Sequence, residues 1–363
     1  TATASEGNVA IGHDALGDAA VGESYNVSIG HAAMSKVDEG TNSGSGNHSA
    51  DSNVAIGIQA LYGGNLSDVS DSTDRALSGN IAIGGYALDA TGANPQTGTI
   101  AIGYQSLTAL TSGIGNTAIG YQAGDAVTTS AYNTVMGYEA LGAEVTGGAA
   151  TAVGWKALGL QNKGDTNNTE NTAVGFQSGY SNVTGTSNTY IGFQAGKGGT
   201  GNNSNNTAVG KDALVAITSG QRNVAVGTNA LASLTVGGTA NLGNIAIGYG
   251  ALDSLQTGMS NIAIGVAAMD AASGAISNCV CIGDRAGDAI NDAAANGTIA
   301  IGYHALTELT TGTNNIAIGY NAADAMDTGG ANVVIGYDAF TTATSENSSV
   351  VIGYESGKSI RHL

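Results

Sequence analysis

Few side chains in this sequence combine a reactive type with a useful spacing. Asp68, Asp71 and Asp74 stand at three-residue intervals in a stretch rich in Ser and Asp. Grouped carboxylates can hold Ca2+ together with backbone oxygens, since the ion takes hard oxygen ligands. The stretch has neither the Asp-x-Asp-Gly calcium loop nor the nonapeptide calcium-roll repeat, so a solvated acidic loop is expected and no metal is assigned. The five histidines, His13, His31, His48, His304 and His362, are scattered. Cys279 and Cys281 are two apart, a spacing that seldom bridges, and no second pair completes a zinc site. They read as small buried residues. No Gly-x-Ser-x-Gly elbow and no Gly-x-x-x-x-Gly-Lys-Ser/Thr phosphate loop occurs, so no catalytic residue is assigned and no cofactor is implied. A glycan-cleaving enzyme needs two carboxylates about 5 to 9.5 Å apart, and nothing in the sequence singles out such a pair.

Composition narrows the class further. Of 363 residues 58 are glycine and one, Pro95, is proline; 28 acidic against 10 basic side chains leave a net charge of −18. A chain this acidic repels phosphate backbones and anionic membrane surfaces, which excludes nucleic acid and lipid as expected partners. No apolar run reaches the roughly 18 to 20 residues of a membrane span, so no membrane insertion is expected of this segment. Hydrophobic residues make up 42%, enough for a packed core. A first residue of Thr1 instead of Met reads as a fragment or a processed product.

The glycine excess is periodic. A unit reading Asn, β-branched, Ala, Ile, Gly, aromatic, any, Ala, Leu recurs, as in residues 116–124 and 244–252. Its glycines run from Gly12 through Gly103, Gly120, Gly137 and Gly154 to Gly353, nineteen in all, and nine of the eighteen spacings are 17 residues. The residue three before the glycine is Val, Ile or Thr in all 19 copies, and the residue one before is Ile or Val in all but Met136. Between them lies Ala in 13 copies; four before is Asn in 14; three after is always Ala or Ser. β-Branched residues at fixed slots favour strand.

Strand alternation puts the two large apolar slots on one face and Ala with Gly on the other. Small residues mark a face where another backbone lies close. Recurrent glycine and β-branched residues disfavour helix, and 17 residues are too few for a helical hairpin with turns. They do fit two short strands and two turns, one coil of a parallel β-solenoid. The expected fold is therefore all-β, a parallel β-solenoid of about 19 coils over residues 1–357, with 358–363 as an exit segment. Stacked coils place the Asn side chains in an amide ladder. At about 4.7 to 4.9 Å per coil the stack would measure about 85 to 88 Å. Small residues fill so thin an interior, leaving a Val/Ile row outside; an apolar stripe of that length needs a partner, and cyclic self-assembly lets identical stripes meet.

The Asn-Thr-Ala-Ile-Gly-Tyr-Gln-Ala unit resembles the head repeats of trimeric autotransporter adhesins, and it is similar to repeats of phage tail-fibre proteins that carry a self-cleaving C-terminal chaperone. The resemblance covers residues 8–357. It implies a left-handed parallel β-roll, a homotrimer about one axis, and an extracellular binding role on a virion fibre or a bacterial surface. It also implies chaperone removal after Leu363, an arbitrary end being the alternative.

Two consecutive 27-residue spacings place long insertions at about residues 35–51 and 63–79, and 21-residue spacings add shorter ones at 162–167 and 235–239. Polar and turn-rich, they read as loops projecting from one face. Two surfaces are candidates for contact with a cell-surface glycan or protein receptor. One is the loop bearing Asp68, Asp71 and Asp74. The other is the row of aromatic residues that follow the repeat glycine, Tyr104, Tyr121, Tyr138, Trp155, Phe176 and Phe193, which would form a longitudinal row able to stack on sugar rings or to pack between chains. His13 and His31 share that same slot and would stack one coil apart. The leading expectation is a structural and adhesive fibre segment without catalysis. A polysaccharide depolymerase would instead lose activity with Asp71→Ala or Asp74→Ala. Ice or mineral binding would call for threonine rows, yet threonine holds the first β-branched slot in only six of 19 copies.

Overall fold

Each repeat forms one three-residue strand that stops at its glycine, as in Thr117–Ile119, Thr134–Met136 and Ile245–Ile247. The computed structural model describes residues 5–18, 23–37, 48–63, 75–91, 96–199, 201, 203–235 and 243–359. They fall into two units, Thr1–Thr184 and Gly185–Leu363. The first carries nine of these strands and the second ten. Within each unit the strands pair parallel and slot for slot: Ile100 opposes Thr117, Ala101 opposes Ala118 and Ile102 opposes Ile119. Each unit is thus a parallel β-solenoid. A one-residue slip would drive Ile into the alanine slot, so the register is strongly specified.

The interior is thin, with small residues on the strand side and leucines, instead of small residues alone, on the return side. Ala101, Ala118, Ala152, Ala208 and Ala225 of the alanine slot are fully buried. Opposite them lie Leu107, Leu141, Leu158, Leu214 and Leu231, four residues past their glycines and equally buried. The two slots share one volume. Where the alanine slot carries Tyr190, the leucine slot is Gly196, and a Cβ there would lie 2.3 Å from the tyrosine ring. Where it carries Cys281, the partner is Gly287, whose added Cβ would lie 2.7 Å from the sulfur. Both cysteines are free thiols in the core, and burial pushes each thiol up from its ordinary value.

The repeat glycines stack on one another. Gly120 has φ +139°, and a Cβ built on it would stand 2.5 Å from the Gly137 carbonyl oxygen. The small residue on that face is therefore set by the backbone of the next coil. Beside this column runs the asparagine ladder. Asn53 donates its backbone N–H and its Nδ2 to Asn26 Oδ1 at 2.9 and 3.1 Å, and its Nδ2 also donates to the Leu77 carbonyl at 2.7 Å. Asn80 repeats the pattern upon Asn53.

The return side of the coil differs from the expected second strand. It is a run of turns in which alternate residues are left-handed, for example Gln105 at φ 54° and Leu107 at φ 49°. The Gln105 N–H donates to the Gly85 carbonyl of the preceding coil and the Leu107 N–H to the Ala123 carbonyl of the next. Backbone groups are satisfied in both directions without extended geometry. Among the described residues a second parallel sheet forms from His48–Ser49, Arg75–Ser78 and Gln96–Thr97. The first two lie in the long insertions, which therefore end as paired strands instead of being loops throughout. At 162–167 the expected projecting loop is present: residues 164–167 are exposed and Asn167 N–H caps Asp165 at 2.9 Å.

Candidate functional site

The residue after each repeat glycine emerges at a coil corner next to the outer strand slots, so aromatic residues there fall into columns. Tyr104, Tyr121 and Tyr138 stack with ring centroids 5.6 and 5.0 Å apart. Trp155 and Phe176 follow at 4.7 Å, with rings within 9° of parallel. In the second unit Tyr303, Tyr320, Tyr337 and Tyr354 form another column, stacked at 5.0, 5.1 and 5.3 Å. The six aromatics singled out from the sequence are 38–45% exposed. Offset rings at these separations are in the attractive range.

The outer slots complete an apolar surface alongside. No described residue in either slot is buried, and Ile11, Met136, Ile191, Ile247 and Ile352 are exposed. Alanine faces inward and isoleucine outward because the buried leucine of the return side takes the volume opposite the strand.

Other candidates sort as follows. His13 and His31 stack at 5.4 Å, 8° from parallel, and His13 Nδ1 lies 3.0 Å from Asp14 in solvent. Asp68, Asp71 and Asp74 lie outside the described residues, as do residues 236–239 of a shorter insertion. Among the described residues no group of three His, Cys, Asp or Glu is placed to hold a metal, and no helix is long and apolar enough to cross a membrane.

Sequence reasoning missed the polar groups flanking the aromatic column. Lys156 Nζ pairs with Glu139 at 3.0 Å and sits 4.9 Å from the Trp155 ring centroid. The Lys156 hydrogen bond holds the Glu139 carboxyl below the usual range, whereas burial pushes the Asp125 carboxyl up. Also missed was a polar network inside the coil: Glu144, fully buried, accepts the N–H groups of Val145, Thr146 and Gly147 and the side-chain amide of Gln161. Both depend on which residue occupies the same slot in a neighbouring coil, a comparison along the stack.

One column of acids follows the same logic. Asp253, Asp270 and Asp288 stand five residues past Gly248, Gly265 and Gly283 in successive coils. Burial raises all three carboxyls; the Asp270 charge raises Asp253 and Asp288 further, while Arg285 lowers Asp270 and Asp288. A carboxyl raised by folding binds its proton more tightly in the folded state. Its contribution to stability is complete below the unfolded value of about 3.9 and is lost as pH rises through the folded value. Asp270→Asn is therefore expected to raise the urea midpoint at pH 7 and to narrow the gain that the wild type shows between pH 7 and pH 4. Paired urea titrations measure both, and a lower midpoint for Asp270→Asn at pH 7 would contradict the assignment.

No protein-family model matches the chain, and no curated protein matches it significantly.

Proposed function

We propose that this chain is a structural and adhesive segment of an extracellular fibre, viral or bacterial, in which three copies pack their outer rows about a common axis and display coil corners and loops to a cell-surface glycan or protein receptor. The observation that carries the reading is the pair of outer slots. In every described coil they project Val, Ile, Met or Thr away from the interior, and none is buried by its own chain. A ribbon of nine or ten coils, as each unit presents, exceeds what a monomer leaves in water, and closed symmetry covers it with copies of itself. The corner aromatics supply faces for sugar rings, and the net charge of −18 disfavours nucleic acid as the target.

Sedimentation velocity tests the assembly. The expected particle has about three times the 35.5 kDa chain mass. Ile247→Asp, at an exposed outer slot, should reduce it to single chains while leaving the circular dichroism of the solenoid unchanged. A monodisperse 35.5 kDa wild type would overturn the trimeric fibre. Adhesion without turnover is the companion expectation: bound polysaccharide should release no reducing ends.

A further inference from the structure

A cleft of about 370 Å³ opens on the first unit across four successive coils. Its origin is a gap in one side-chain column. Five residues past the repeat glycine, these coils carry Asp125, Gly142, Gly159 and Tyr180 in order. The two glycines remove two side chains, and Asp125 and Tyr180 wall the ends. The backbones of these two residues stand three coil steps apart, about 14 Å. Glu139 and Lys156 line a long side.

Backbone geometry does not demand these glycines. Neither has a positive φ, and a Cβ on Gly142 would meet nothing nearer than 3.4 Å. The same slot elsewhere holds Tyr62, Thr108 and Val215. What glycine supplies at this position is room. The Tyr180 ring leans over Gly159, where a Cβ would lie 2.9 Å from two ring carbons, and Asp125 Oδ1 reaches over Gly142, 3.5 Å from the corresponding point. Lys156 is engaged by Glu139, and Asp125 forms no ion pair among the described residues. The volume lies within the range of small-ligand sites, which join apolar walls to a few convergent polar groups.

We propose that this cleft binds one neutral pyranose unit of a glycan, its ring against Tyr180 and adjacent hydroxyls donating to Asp125. A carboxylate accepts from two hydroxyls at once, and an aromatic face covers the C–H side of a sugar. Two carboxylates against one ammonium disfavour an acidic sugar. The assignment rests on the adhesive reading and gives it a ligand class and a location.

Trp155, the single tryptophan, lies under Lys156, a residue of the cleft lining, and serves as reporter. The probes are methyl glycosides of glucose, galactose, mannose and N-acetylglucosamine, titrated into the intact protein by tryptophan emission and saturation-transfer NMR. At least one is expected to bind saturably. Asp125→Asn should weaken it about tenfold, as loss of a charged acceptor does. Gly142→Leu should fill the cleft and abolish binding with unchanged circular dichroism, and Gly142→Ala, whose added methyl would stand in ordinary contact at 3.4 Å from the Glu139 carbonyl oxygen and 3.5 Å from Asp125 Oδ1, should give an intermediate loss. The proposal is overturned if no neutral glycoside binds saturably, if binding survives Gly142→Leu, or if sialic acid or glucosamine binds where the neutral sugars do not. Attachment to surface glycans that Gly142→Leu leaves intact would remove the cleft and keep the adhesive reading. Saturable cleft binding by a monomeric chain would do the reverse.

Discussion

Gly120→Ala, like alanine at the other repeat glycines, is expected to be among the most damaging small substitutions in the chain, costing about 4 kcal/mol or more. Two effects add. The residue sits at φ +139°, where an L side chain is strained, and such backbone strain costs about 1 to 3 kcal/mol. Its new methyl would also lie 2.5 Å from the Gly137 carbonyl oxygen and 2.7 Å from the carbonyl carbon. Those atoms belong to a backbone held by its own ladder, so relief requires separating two coils. Because solenoid stability is a sum over neighbouring coils, the lesion should also split unfolding into two steps at that interface. Gly164→Ala is the control: φ is +73° with nothing within 4 Å of the added atom, so about 1 to 2 kcal/mol is expected from the left-handed backbone alone. Urea unfolding followed by circular dichroism compares them. Equal losses at the two sites would show that coil contact is not what selects the repeat glycine.

Breaking one rung of the asparagine ladder should cost about 3 kcal/mol, the penalty of leaving buried polar groups unpaired. Asn133 is 1% exposed. Its Nδ2 donates to Asn116 Oδ1 at 3.1 Å and Ser130 Oγ at 2.9 Å, and its Oδ1 accepts the Ala150 N–H at 2.9 Å. Asn133→Ala strands that N–H and removes one of the two donors that Asn133 gives to Asn116 Oδ1. Asn133→Asp has nearly the same shape but puts an acceptor where a donor belongs and a charge where there is no water. It should be worse than alanine at pH 7 and should recover on acidification, when the carboxyl can donate again. Melting curves at pH 7 and pH 4 test this, and an aspartate variant indifferent to pH would mean that water reaches the ladder.

The sequence by itself determined the coil. Nineteen copies filter each slot for what its surroundings accept, so Ala against Ile across the strand, the stacked glycines, the asparagine ladder, the aromatic columns and the buried cysteines could all be read from one aligned unit. Local alternation also identified the Val/Ile rows as lacking a cover within the chain, and every described outer slot is indeed unburied. Tertiary structure decided what the repeat does not contain. The return side closes through alternate left-handed residues such as Gln105 and Leu107, which no strand or turn preference announces. The insertion ends at His48–Ser49 and Arg75–Ser78 become strands because each finds a partner one coil away. Tyr190 is tolerated in an alanine slot because Gly196 yields the space. The cleft exists because Gly142 and Gly159 fall in consecutive coils between Asp125 and Tyr180. In each case the deciding contact joins residues of different slots or different coils, and a pattern averaged over one period carries no record of which neighbours the stack brings together.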